Sequence, residues 1–182
     1  MKSIVLFLLA AVAVSTLALA QAPDDAINTA LQALPPGLRA DATVIKWKPD
    51  FTYETLRKGT NGLVCYDRSG MPEQQPISIE CTSVNNLDRE AQNLKTEALG
   101  DKAKTQAAFD AMEKDGTRVK PEYGSVWYHY MGADKEHARM HVTIALPGAT
   151  TQSTGLSDKR SLTGVWLMNP GTSTAHLMTP GE

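Results

Sequence analysis

Between residues 87 and 115 the composition switches to a mixture dominated by Ala, Glu, Lys, Gln and Leu, residues that lose little side-chain freedom in a helix. This block lies between two regions whose apolar residues recur with a period of two. Strands, then helices, then strands again predict an α+β fold rather than alternating βαβ units. Gly100 predicts a break within the block and Gly116 its C-cap, so two consecutive helices or one kinked helix are expected. Leu87, Ala91, Leu94, Ala98 and Leu99, followed by Ala103, Ala107, Ala108, Ala111 and Met112, form a narrow apolar stripe expected to face a sheet. The charged residues between them read as a solvated face.

Upstream, Pro23-Asp24-Asp25 has the character of a helix start, and Ile27, Ala30, Leu31 and Leu34 follow at helical spacing until Pro35-Pro36-Gly37. Val44, Ile45 and Trp47 mark a short strand. Residues 51–58 and 63–67 flank Gly59-Thr60-Asn61-Gly62, and an Asn-Gly pair between strand-like runs predicts a hairpin with a type I′ turn. Residues 69–76, polar and with two prolines, read as a loop. The basic residues Lys46, Lys48, Arg57, Lys58 and Arg68 are interspersed with acidic ones and read as a solvated strand face.

Downstream, strands are expected at 125–131, 139–146, 162–168 and 174–179. In the second of these, Met140, Val142, Ile144 and Leu146 are expected to face the core, and Arg139, His141 and Thr143 to face outward or toward a groove. The expected architecture is a mainly antiparallel sheet, an N-terminal hairpin plus a C-terminal meander, with the central helices packed on one face.

The first residues bear on compartment. Lys2, an apolar run from 4 to 17 and the small-x-small ending Ala18-Leu19-Ala20 have the order of a secretory signal peptide. The run is short for a bilayer span. Cleavage after Ala20 is expected, leaving a single domain, 21–182, in the periplasm or secreted, with no stable membrane insertion. A formal net charge of −2 without a polybasic run does not call for nucleic acid as a partner. In an oxidising compartment the lone pair Cys65 and Cys81 predicts a disulfide.

Several stretches together resemble a group of uncharacterised exported bacterial proteins. They are the Gly59-Thr60-Asn61-Gly62 turn followed by Cys65, Cys81 ahead of a helix, His141 on a strand before a loop, and the ending Gly171-Thr172-x-x-Ala175-His176-Leu177-Met178-x-Pro180. The resemblance covers residues from Gly59 to the C-terminus and implies no particular activity. Ser173-Thr174 stand where it implies an aromatic residue.

No Gly-x-Ser-x-Gly elbow, Ser-x-x-Lys pair, His-Glu-x-x-His helix or phosphate-binding glycine loop occurs in the sequence. Ser157-Asp158 reads as turn chemistry. The histidines stand out instead. His129, His141 and His176 fall on three expected strands, and His129/Met131 and His176/Met178 each place imidazole and thioether on one strand face. Imidazole with thioether is a soft set suited to copper. The ligand-binding candidates are thus His129, His141, His176 and Met178, with the three histidines as candidate metal ligands; His137 belongs to a turn. Trp127, Trp166, Tyr128 and Tyr130 are candidates for an apolar groove or for core. The leading functional expectation is an exported, non-catalytic binding or interaction module whose partner is a small molecule, a metal or a protein. A copper-binding protein is the alternative, and a small extracytoplasmic hydrolase the second alternative.

Overall fold

A computed structural model describes residues 23–180. The signal-peptide expectation for 1–20 lies outside the described residues. The chain forms β1 (Thr43–Trp47), β2 (Tyr53–Arg57), β3 (Leu63–Asp67), β4 (Ile77–Ser83), β5 (Val126–Gly132), β6 (Arg139–Ala145), β7 (Trp166–Met168) and β8 (His176–Met178). They make one eight-stranded sheet in the order β2-β1-β3-β4-β5-β6-β8-β7. Every pairing is antiparallel except β1 with β3. The α+β expectation is met.

Strand alternation divides the sheet into two faces with different cover. Val44, Cys65, Ile79 and Cys81 point to one face and pack with Ala30, Leu31, Ala33 and Leu34. Those residues belong to helix α1 (Pro23–Ala30), the 3-10 turn Leu31–Ala33 and its C-cap Leu34, which run into a short helix α2 (Pro36–Arg39). Ile45, Trp47, Val64 and Tyr66 point the other way and pack with Leu94, Leu87 and Ala91 of helix α3 (Leu87–Glu97). Asn86, fully buried, anchors the start of α3: its Nδ2 donates to Thr82 Oγ1 at 2.8 Å and Ser125 Oγ at 2.9 Å, and its Oδ1 accepts from Glu122 N at 2.7 Å. One amide thus ties α3 to β4 and to the entry of β5.

Cys65 and Cys81 face each other across β3 and β4, with their Cα atoms 4.1 Å apart, and form the disulfide. Among the described residues no helix is long and apolar enough to cross a membrane.

Four expectations are corrected. The Asn61-Gly62 turn does not close a hairpin between β2 and β3, because β1 lies between them in the sheet. The hairpin is β1–β2, closed where Lys48 N donates to Thr52 O at 2.8 Å and Phe51 N donates to Lys48 O at 3.0 Å. The Gly59-Thr60-Asn61-Gly62 segment instead docks on the end of α2: Thr60 N donates to Asp41 O at 2.7 Å and Asn61 Nδ2 to Leu38 O at 3.0 Å. A Cβ at Gly59 would stand 2.1 Å from Asp41 O, so close approach is what requires glycine there.

The C-terminal strands are not a simple meander either, since β8 pairs with β6 and β7 takes the edge. Helix α4 (Lys102–Asp115), capped by Gly116 at φ 71°, does not carry its alanines to the sheet; Ala103, Ala107 and Ala111 are exposed, because α3 occupies the sheet face. On β6, Met140 is 36% exposed instead of facing the core, whereas Arg139 is exposed and His141 and Thr143 face a groove, as expected. The cover of α1 and its 3-10 turn reaches Tyr128 and Tyr130 on β5 and stops there.

Candidate functional site

On the face that carries α3, the strand register sets side chains in cross-strand rows. Tyr66 lies opposite Glu80, Glu80 opposite His129, and His129 opposite His141. The next row runs Trp127, Thr143, Met178 and Trp166, and the one after it Ala145, His176 and Met168. These rows and the side of α3 bearing Arg89, Glu90 and Asn93 enclose a cavity of about 440 Å³. His129, His141, His176 and Met178 all line it, with Met131, Met168 and Trp127.

The imidazoles are not equally placed. The rings of His129 and His141 have centroids 6.0 Å apart at 29°, and the indole of Trp127 lies nearly parallel to the His129 ring at 6.4 Å. His176 pairs with Ala145, four residues along β6 from His141, or about 13 Å of strand at roughly 3.3 Å per residue. It lines the same cavity from a register position farther along the sheet. Among the described residues, no group of three or more His, Cys, Asp or Glu side chains is arranged to hold a metal ion. Imidazole pair and thioether wall are what the register brings together.

His176 Nδ1 lies 2.7 Å from Thr174 O, a carbonyl that can only accept, so Nδ1 carries a proton and Nε2 is the acceptor in the neutral ring. Burial lowers the pKa of His176, and burial with the neighbouring His129 and His176 lowers that of His141. Both are neutral at neutral pH. His137 is exposed in its turn, 2.7 Å from Asp134 Oδ1.

The floor of the cavity is a buried charge cluster. Arg68, 4% exposed, is no member of a solvated strand face. Its Nη1 lies 2.9 Å from Glu80 Oε1 and 3.1 Å from Glu90 Oε1, and its Nη2 binds Glu97. Tyr66 Oη donates to Glu80 Oε2 at 3.3 Å, and Asn93 Nδ2 to Glu90 Oε2 at 2.9 Å. His129 Nδ1 stands 3.3 Å from Glu80 Oε1, within ion-pair reach but without hydrogen-bond alignment. Glu90 Oε1 likewise accepts no hydrogen bond.

The two carboxyls are driven apart by this setting. Burial opposes ionisation of Glu80, but Arg68 and then His129 outweigh it and hold its pKa down at about 2. Burial, reinforced by the negative charge of Glu80, pushes Glu90 up to about 8 against the pull of Arg68. Glu80 is therefore the ion and Glu90 the acid at neutral pH. A charged, internally neutralised floor under an aromatic, imidazole and thioether wall suits a small molecule with an apolar body and a few polar groups.

Arg68, Glu80, Glu90, Arg89 and Asn93 are absent from the sequence-derived site. One signal pointed to Glu90: it falls between Leu87 and Leu94 at three and four residues, on the inward stripe of α3. Ser157 Oγ accepts from Lys159 N at 3.0 Å, the turn chemistry expected of it. Compared with protein families, curated proteins and solved structures, the chain matches none.

Proposed function

We propose that the protein is an exported binding module that takes up a small ligand in the sheet-face cavity. The observation that carries this reading is the convergence of His129, His141, His176 and Met178, from three strands, on one cavity of about 440 Å³, a size that holds a small organic molecule. Trp127 on the wall supplies both a stacking surface and a probe. Titration of the protein with a panel of small aromatic compounds should quench its fluorescence saturably. The response should vanish in Trp127→Phe, and His141→Ala should weaken binding about tenfold, the loss of one well-placed polar contact. A panel without one saturable response retires the reading.

Copper is the second reading, favoured by the facing pair His129 and His141 with Met131 beside it on the same strand face. Apo-protein should then bind about one equivalent, more weakly as pH falls and protons compete with the metal for its ligands. His129→Ala or His141→Ala should abolish that binding and His137→Ala should not. Calorimetry without saturable copper uptake removes this reading and leaves the first intact.

A further inference from the structure

Arg89 and Arg118 are buried cations outside the cluster that neutralises Arg68. They are 5% and 6% exposed, and among the described residues neither forms an ion pair with a carboxylate. Removing a guanidinium from water without an ionic partner is costly. Burial lowers both pKa values to about 10, with Arg118 adding to the effect on Arg89, yet both stay charged at neutral pH.

Their donors are unevenly used. Arg118 Nη1 donates to Gln92 Oε1 at 2.6 Å and Nη2 to Asn93 Oδ1, its plane lies 4.1 Å over the Phe109 ring, and its buried Nε has no acceptor. Arg89 Nη1 donates to Val119 O and, at 3.1 Å, to Ser173 Oγ. Its Nε and Nη2 have no acceptor among the described residues. Those two nitrogens form the side-on edge of the guanidinium, the fork that matches the two oxygens of a carboxylate.

Both arginines line a second cavity of about 390 Å³ between α3, α4 and residues 169–174. Arg89, Asn93, Asn169 and Thr174 line this cavity and the imidazole cavity alike, which puts Arg89 at their shared wall. Glu113 also lines the smaller one, accepting from Ser173 N at 3.1 Å and from Ser173 Oγ. Glu97, which is bound by Arg68, and Asp110 line it as well, so the cavity as a whole disfavours a dianion and an anion's attraction is confined to the open Nε and Nη2 edge of Arg89.

We propose that Arg89, with Arg118 behind it, anchors the carboxylate of a small monocarboxylic acid whose apolar body lies against Trp127 and Met178 in the larger cavity. The inference rests on the ligand-cavity reading above. Calorimetry with phenylacetate, its neutral counterpart 2-phenylethanol and inorganic phosphate tests it on the whole protein. Phenylacetate should bind about tenfold or more tighter than 2-phenylethanol, as expected for a desolvated guanidinium–carboxylate pair, and phosphate should not displace it. Arg89→Gln should erase that preference, bringing the affinities for the acid and the alcohol to within about twofold of each other. Should Arg89→Gln fail to fold, the comparison of the three probes on the unaltered protein still decides. Equal affinity for the acid and the alcohol overturns the carboxylate inference and leaves the cavity reading standing. Displacement by phosphate overturns the choice of a monocarboxylate. If neither aromatic compound binds, the carboxylate inference falls, and the panel titration decides the cavity reading.

Discussion

Arg68 serves three carboxyl groups from one guanidinium, and Glu90 is the member left to hold a proton. In the folded protein Glu90 keeps that proton up to about pH 8, whereas its ordinary value is 4.5. Its contribution to stability is complete below pH 4.5 and is lost as pH rises toward 8. Glu80 acts in the opposite sense: with a folded value of about 2 against 4.5, its contribution is present above pH 4.5 and is lost as pH falls toward 2. The melting temperature should therefore be highest near pH 5 and decline toward pH 8. Glu90→Gln, which keeps shape and removes the titration, should flatten that decline; melting curves that fall as steeply in the variant would show that Glu90 is already ionised in the folded protein. Arg68→Met leaves Glu80 and Glu97 buried without their cation and should destabilise by about 3–5 kcal/mol in denaturant titration. The role of Arg68 was not legible in the sequence, because Glu80, Glu90 and Glu97 reach it from β4 and from two turns of α3, and only tertiary packing brings them together.

Helix α3 is the element that makes the cavity, since it presents Leu87, Ala91 and Leu94 to the sheet and Arg89, Glu90 and Asn93 to the space beside it. Leu94, 5% exposed, is the apolar anchor of that docking. Leu94→Ala should cost about 2–5 kcal/mol of folding stability, the range for a buried leucine, and should also weaken ligand binding by loosening Arg89 and Asn93. A loss of stability with no change in binding would separate the helix from the site. Helix α3 was readable because its stripe is local, as were the Gly116 cap, the disulfide and every described strand except β4 (Ile77–Ser83), for which no strand was expected. The loop closed by Cys65 and Cys81 implies about 3 kcal/mol from the restricted unfolded chain, so reduction should lower the melting temperature and equal melting with and without reductant would contradict that. Strand pairing was less readable. Whether β2 meets β1 or β3 depends on which partner buries Val44 and Ile45, and an Asn-Gly turn cannot report that when its segment is held instead by Asp41 and Leu38.

For the whole molecule, two layers of helix on opposite faces leave the α3 side of β5, β6 and β8 only partly covered, and the cavity lies in that gap. Period-two alternation assigned His129, His141 and His176 to strands, but the pairing of strands in the sheet, invisible to any local pattern, decided which of them meet. The β5–β6 pairing set His141 against His129, and the pairing of β8 with β6 set His176 against Ala145, four residues along β6. The central claim is that this gap is where the protein receives its ligand. Methyl NMR on methionine-labelled protein tests it most directly, because Met131, Met168 and Met178 line the cavity while Met71 and Met140 do not. Adding phenylacetate or any aromatic compound that quenches Trp127 should shift the first three signals saturably and leave the other two in place. Shifts confined to Met71 or Met140, or no saturable shift at Met131, Met168 and Met178, would contradict the account.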